Sequence, residues 1–473
     1  MKKISTLLLF TCYICAAFAT VDVSITYVDV KRSTVINKAV SFSLTLENTG
    51  TETVTSVDIH WNLSSANSAL LSGFSLMPGE SRTFSNVGTL TLTETKKHTF
   101  SVTVDQVNGK ADAISTNNSF SQSIHGTTRE AIKKAVAEEA TGSWCGFCPR
   151  GIVYMDLAKE EFGDQFIGIA VHNSDPMEDN TYDAAIADYP GFSGYPSVIL
   201  DRKLLIDPSA LLIQVPNRLD EDPIAEISIF GNYDEASEEL HVTLKVEFLS
   251  ADDGLDYRLN VVLTEDSVTG TTAGYNQTNY YSGGSYGPLY GWEDLPYTVP
   301  AEDMVYQFVA REIVDGWDGT EGSVPTAVTA GQVITYDYEI DIDDDWDIEK
   351  INVIGLLTDY DDPKNEILNA NSARMTSLSE YVGIQEQIVT NAVTVYPNPA
   401  ADIAYIRVDL FESAEISIRV SDLNGKTVQS AEYGIMTGNN VMPINTNMLP
   451  AGIYVIDILA GAQLVTEKLY VTH

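Results

Sequence analysis

The chain has 473 residues, with 27 Lys+Arg against 67 Asp+Glu and a formal net charge of −40. So acidic a surface repels phosphate backbones and anionic headgroups, which argues against nucleic-acid and membrane-surface binding, so no nucleic-acid partner is expected. The length leaves room for about three or four domains.

Residues 1–19 have the pattern of a signal peptide. Lys2 and Lys3 form a basic head, an apolar stretch with Leu7, Leu8, Leu9 and Phe10 runs to Phe18, and Ala17-Phe18-Ala19 is a small-x-small cleavage site. The stretch is shorter than the roughly 20 apolar residues of a membrane span, and no later segment qualifies, so no transmembrane span is expected. Cys12 and Cys15 belong to the signal. Its removal leaves Cys145 and Cys148 as the only cysteines, in an oxidising setting.

Residues 20–126 read as an Ig-like β-sandwich. Val40, Phe42, Leu44 and Leu46 alternate with polar residues, as do Phe100, Val102 and Val104, and Asn48-Thr49-Gly50 supplies a turn. The segment resembles cell-adhesion-related modules of bacterial surface proteins. Residues 127–222 change period. A strand ends at Glu138-Glu139-Ala140, an amphipathic helix covers Pro149 to Phe162, and Phe166 to Val171 is a strand buried on both faces. A helix near 179–189, a strand at Ser197 to Leu200 and a turn at Asp201-Arg202-Lys203 follow. The order β, α, β, α, β, β predicts a thioredoxin-like α/β domain. Residues 223–379 return to strands and predict a second β-sandwich, with a Tyr/Gly-rich loop from Tyr275 to Tyr297. Residues 380–388 read as a linker, and 389–473 as a compact C-terminal β-sandwich with a hairpin turn at Asn424-Gly425.

That last module carries Val395-Tyr396-Pro397-Asn398-Pro399-Ala400, Asp422-Leu423-Asn424-Gly425-Lys426, Leu449-Pro450-Ala451-Gly452-Ile453-Tyr454-Val455 and Lys468-Leu469-Tyr470-Val471. In these pieces it resembles the type A C-terminal sorting domain of the type IX secretion system. The resemblance implies a bacterium of the Bacteroidota, handling by the type IX secretion machinery, and a secreted or cell-surface, outer-membrane-associated destination.

Trp144-Cys145-Gly146-Phe147-Cys148, between a strand and a helix, has three chemical readings. As a redox pair, Cys145 would be the nucleophile at the helix start, where free N–H groups stabilise a thiolate, and Cys148 the resolving thiol. As half a zinc site it lacks partners, since His172 is the one histidine in the same domain and structural zinc takes four ligands. As a structural disulfide it would close too small a loop to stabilise the chain much. Tyr195-Pro196, directly before the Ser197 strand, matches the place where thioredoxin-like proteins carry a cis-proline facing the disulfide. There the backbone of Tyr195 would pair with an extended substrate, with Trp144 flanking the sulfur. Glu139, six residues before Cys145, matches the position of the buried acid in thioredoxins, where it would exchange a proton with the resolving thiol. The alternative is that one or both of Glu138 and Glu139 are solvated strand-end carboxylates. Pro149 delays the regular helix and weakens dipole activation of Cys145.

The run from Glu138 to Gly151, with Tyr275-Asn276-Gln277 and Ile367-Leu368-Asn369-Ala370, resembles the twenty-eight-kilodalton outer-membrane-protein-related family of Bacteroidota. The resemblance extends over about 127–379 and implies an outer-membrane or surface location and a thioredoxin-like core. Two other features each have two readings. The tyrosine cluster could stack on peptide or glycan, or pack on its own sandwich. Asp341, Asp343, Asp344, Asp345 and Asp347 could coordinate calcium, or form a solvated edge. The resulting expectation is a possible thiol–disulfide oxidoreductase acting on extracytoplasmic protein thiol or disulfide clients. It has catalytic residues Cys145, Cys148, Pro196 and Glu139, substrate contacts at Trp144 and Tyr195, and neither metal nor cofactor. The alternative is a non-enzymatic surface adhesion or glycan/peptide-binding protein with a structural or vestigial disulfide.

Overall fold

In the computed structural model the described residues are 20–63, 66–380, 393–423, 425–460 and 463–472. The expected signal peptide, most of the expected linker and Asn424 of the expected hairpin turn lie outside them. The chain divides into two units, Met1–Glu380 and Tyr381–His473.

At the start of the first unit, strict alternation produces two sheets. One has the order Val23–Asp29, Ala39–Asn48, Ser81–Thr91; the other runs Ser33–Val35, Ser119–Thr127, Lys97–Val107, Val54–Asn62, Ala66–Leu76. Phe42, Leu44 and Leu46 from the first meet Val57, Ile59, Trp61, Phe100 and Val102 from the second in one core. Phe42 sets its ring edge-on to Trp61 and Phe100, at 5.4 and 5.1 Å between centroids.

The rest of that unit is built on an eight-stranded mixed sheet. Its order is Leu204–Ile206, Ser197–Leu200, Ala135–Thr141, Phe166–His172, Val309–Ile313, Tyr257–Glu265, Ile351–Asp359, Glu366–Arg374. Ala135–Thr141 runs parallel to Phe166–His172 and antiparallel to Ser197–Leu200. Because side chains alternate across a strand, Ala135 and Ala137 face helices Pro149–Phe162 and Leu211–Leu219, whereas Val136 and Ala140 face helix Asn180–Ala187. The helix at 211–219 is an addition to the sequence-based order; Leu211 and Val215, one turn apart, bury its inner face.

The expected second sandwich is assembled differently from a free-standing domain. Beyond two short two-stranded pairings, Ala225–Asp234, Glu239–Phe248 and Val333–Asp341 form a separate sheet. They pack on Leu259, Val261, Leu263, Val353 and Leu357, which belong to strands continuing the eight-stranded sheet. The physical reason lies at Phe166–His172: its outer edge offers unpaired N–H and C=O groups, and Val309–Ile313 covers them in parallel. Strands from both sides of residue 222 therefore share one sheet.

In the second unit, strand Ile403–Asp422 pairs along its length with Thr427–Asn445, with Thr394–Tyr396 at one end and Gly452–Ala460 at the other. Ile406, Val408, Ile416, Val420, Ile456, Ile458 and Leu469 form its core. Asn398 ties the module's first and last motifs together: its Nδ2 donates to the Lys468 carbonyl at 2.7 Å and its Oδ1 accepts from the Tyr470 amide at 2.8 Å.

Candidate active site around the Cys145–Cys148 disulfide

Strand Ala135–Thr141 is buried at every residue and delivers the chain to a tight turn. The Cys145 amide donates to the Gly142 carbonyl at 3.0 Å, and the Cys148 amide to the Cys145 carbonyl at 3.2 Å. Helix Pro149–Phe162 then begins, with Pro149 in its first position and Cys148 as its N-cap. The Cys148 carbonyl accepts from Gly151 at 2.8 Å, closing the first turn. Pro149 has no N–H, so it removes one donor from the set that would stabilise a thiolate here. Cys145 and Cys148 form a disulfide with 5.3 Å between Cα atoms. Cys145 is 4% exposed and Cys148 fully buried.

Trp144 and Tyr195 come together beside the pair. Trp144 is 48% exposed; its Nε1 donates to the Asn173 carbonyl at 2.7 Å, and its ring meets Tyr195 edge-on at 5.5 Å. The Tyr195 hydroxyl donates to Asp183 Oδ1 at 2.9 Å. Burial and the Asp183 carboxylate push that hydroxyl well above the ordinary tyrosine range. The Tyr195–Pro196 bond is cis. Among the described residues, neither the N–H nor the C=O of Tyr195 enters a backbone–backbone hydrogen bond.

The two adjacent acids point to opposite faces of their strand, as alternation requires. Glu138 is fully buried in a structural network. It accepts from Tyr182 Oη at 2.7 Å and from Arg202 Nε and Nη2 at 3.1 and 2.9 Å. The Arg202 guanidinium lies 3.6 Å over the Trp317 ring. Glu139 faces helix Pro149–Phe162 and is also buried, with no hydrogen-bond partner at Oε1. Burial pushes its carboxyl up to about 8, against a smaller opposing pull from Thr141 and a small push from Asp156. A cavity of about 20 Å³, enough for a single water, is bounded by Glu139, Thr141, Asp156, His172 and Tyr306. His172 Nδ1 lies 2.7 Å from Asp175 Oδ2, and that same oxygen accepts from the Ser143 amide at 2.8 Å, so this pair braces the cysteine turn.

The sequence did not reveal that the tyrosine loop lies on this turn. Gln277 Nε2 donates to the Cys145 carbonyl at 2.9 Å, and the Tyr280 amide to the Gly146 carbonyl at 2.9 Å. Phe147 is enclosed edge-on by Tyr280 and Tyr286, at 5.1 and 5.0 Å. The one available signal was that Tyr275-Asn276-Gln277 and the cysteine run carried the same family resemblance. Among the aspartates from 341 to 347, Asp343 accepts from the Asp345 amide and Asp347 from the Glu349 amide, both as turn caps. Among the described residues no group of three or more His, Cys, Asp or Glu could hold a metal ion. No helix among them is long and apolar enough to cross a membrane.

Comparisons with known proteins bear on three regions. The family described as Outer membrane protein Omp28 matches residues 183–377, a span that contains Pro196 and the tyrosine loop but starts beyond the cysteines. CARDB matches 20–122, and the Secretion system C-terminal sorting domain matches 394–472. No curated protein matches. Among solved structures, HBP35 of Porphyromonas gingivalis is 16% identical, with 73% of this chain and 100% of that one covered and a TM-score of 0.41. A protein from Agrobacterium tumefaciens is 13% identical, with 53% and 98% covered and a TM-score of 0.33. The CARDB domain of a Pyrococcus furiosus protein is 18% identical, with 24% and 97% covered and a TM-score of 0.20. The sorting domain marks a chain handled by the type IX secretion machinery and destined for the cell surface or secretion. Residues 183–377 thus match the Omp28 outer membrane protein family, and residues 394–472 match a type IX secretion C-terminal sorting domain.

Proposed function

We propose that this surface protein carries out thiol–disulfide exchange at Cys145 and Cys148 on extracytoplasmic protein clients, within a thioredoxin-like substructure. The strand order 204–206, 197–200, 135–141, 166–172, with the disulfide at the start of the helix after the first of these strands in sequence, supports the substructure. The observation that carries the chemistry is Glu139. A protonated carboxyl buried against the first turn of the helix headed by Cys148 is an acid with no structural partner at Oε1.

In the oxidised protein, a client thiolate attacks Cys145 Sγ. The bond between Cys145 and Cys148 breaks, a mixed disulfide forms, and the departing Cys148 thiolate takes the proton of Glu139. A second client thiolate then attacks the client sulfur, releasing reduced Cys145 and an oxidised client. The reverse sequence reduces a client disulfide, with Glu139 accepting the Cys148 proton. Trp144 flanks the reacting sulfur, and the unpaired backbone of Tyr195 beside Pro196 offers main-chain bonds to an extended client.

The test is a Cys148→Ala trap in intact cells. Mixed disulfides captured through Cys145, and lost in Cys145→Ala, are expected. No captured client, together with a wild-type disulfide that resists reduction, would leave the rival reading: a surface adhesion or glycan/peptide-binding protein in which the pair is structural. The near-complete burial of both cysteines is the observation on that side.

A further inference from the structure

The segment 274–281 bears on which thiols reach Cys145. It is bonded to the cysteine turn at four points. Ser143 Oγ donates to the Gly274 carbonyl at 2.7 Å, the Thr278 amide to the Ser143 carbonyl at 2.8 Å, Gln277 Nε2 to the Cys145 carbonyl and the Tyr280 amide to the Gly146 carbonyl, both at 2.9 Å. The Tyr280 ring lies so close to Gly146 that a Cβ there would come within 2.3 Å of it. The segment is itself anchored: Gln277–Thr278 pairs with Thr298–Val299, and Asn279 Nδ2 donates to the Trp292 carbonyl at 2.8 Å. One side of the disulfide is thus covered by bonded chain. Trp144 beside the pair remains half-exposed, and the Tyr195 backbone that adjoins it enters no backbone–backbone hydrogen bond among the described residues.

We infer that segment 274–281 is a specificity element, which closes one approach to Cys145 and admits cysteines carried on extended polypeptide in preference to cysteines on folded surfaces. This rests on the exchange reading above. A folded partner surrounds a reacting sulfur with a broad contact, about 800 Å² on each side for a standard interface. An extended chain needs only the width of one strand, roughly 4.8 Å, and takes its affinity from main-chain bonds. The bonded segment obstructs the first far more than the second.

The test uses full-length Cys148→Ala protein and three probes: Ellman's reagent, a short unstructured peptide with its single cysteine capped by thionitrobenzoate, and a small folded protein with a surface cysteine capped likewise. Attack by the Cys145 thiolate forms a disulfide to the probe and breaks its existing one, and the released thionitrobenzoate anion is read by absorbance. The peptide is expected to react at least about tenfold faster than the folded protein. Adding Tyr280→Ala, or separately Gln277→Ala, is expected to raise the folded-protein rate and narrow that gap, with a smaller change for Ellman's reagent. Equal rates for peptide and folded protein, or a gap unchanged in both variants, would overturn the inference alone. Silence toward all three probes would overturn the exchange reading, and the inference with it.

Discussion

Glu139 Oε1 occupies the space that a side chain on Gly151 would need: a Cβ built on Gly151 would sit 1.5 Å from that oxygen. The acid reaches the helix only because the residue facing it has no side chain. Gly151 is in the first turn, where the chain has just left Cys148. The helix could not pack on this strand with both an acid at 139 and any larger residue at 151.

Gly151→Ala is accordingly expected to destabilise the protein by about 1–3 kcal/mol, the usual cost of overpacking. The same substitution in a Glu139→Ala background should cost much less, because the clash is then gone. Urea midpoints of the four proteins in this cycle check the coupling, and additive effects would contradict the packing argument.

Glu139→Gln should stabilise the protein at neutral pH. A carboxyl raised to about 8 in the folded state from its ordinary value of 4.5 binds a proton more tightly folded than unfolded. Folding therefore loses stability as pH rises through that window, and the loss is complete above about 8. At neutral pH the penalty amounts to about 3 kcal/mol as an upper figure. The neutral amide should flatten the stability profile between pH 4.5 and 8, and denaturant unfolding across that range reads it directly. The same variant should slow exchange if Glu139 supplies the Cys148 proton, which separates its two effects.

Glu138→Ala should be severely destabilising, by about 3–5 kcal/mol, because it strands the buried Arg202 guanidinium without its counter-charge. Replacing both, as Glu138→Leu with Arg202→Met, should cost less than the single change. The measurement is again chemical unfolding. A mild single variant would mean that the Trp317 carbonyl, 2.6 Å from Arg202 Nη1, and the Trp317 ring suffice.

Glu366 gives the opposite pH dependence. Burial works against its charge, but Arg32, Lys203 and Arg218 outweigh it and hold the carboxyl down at about 2. Arg32 comes from the N-terminal sandwich and reaches Glu366 Oε2 at 2.8 Å. The stabilisation, about 3 kcal/mol by linkage, is present above the ordinary value of 4.5 and is lost as pH falls through about 2. Glu366→Gln should lower stability at neutral pH and remove the acid-sensitive phase between those values. An unchanged acid transition would show that the ion cluster does not carry it.

Local sequence was sufficient wherever the determining interaction is itself local. The alternation of Phe42, Leu44 and Leu46 gave a strand because period-two patterning needs nothing beyond one buried face. Pro149 and the apolar positions after it placed the helix start to the residue, because a proline without an N–H suits the first helical position. The C-terminal module was legible as β because Ile416, Ile418 and Val420 alternate along one strand, and Pro196 could be marked from its place before the Ser197 strand. What only the tertiary structure decided involves residues far apart in the chain. Glu138 and Glu139 are indistinguishable by composition. One became a structural ion-pair partner and the other an unpaired acid, because adjacent strand residues face different layers. The strands after residue 222 looked like a separate sandwich because pairing of Phe166–His172 with Val309–Ile313 leaves no periodic trace. The Cys145–Cys148 site was legible as a motif, but its enclosure by Gln277 and Tyr280 was not. Those hydrogen bonds run to backbone carbonyls, which every residue has, so no side-chain pattern announces them.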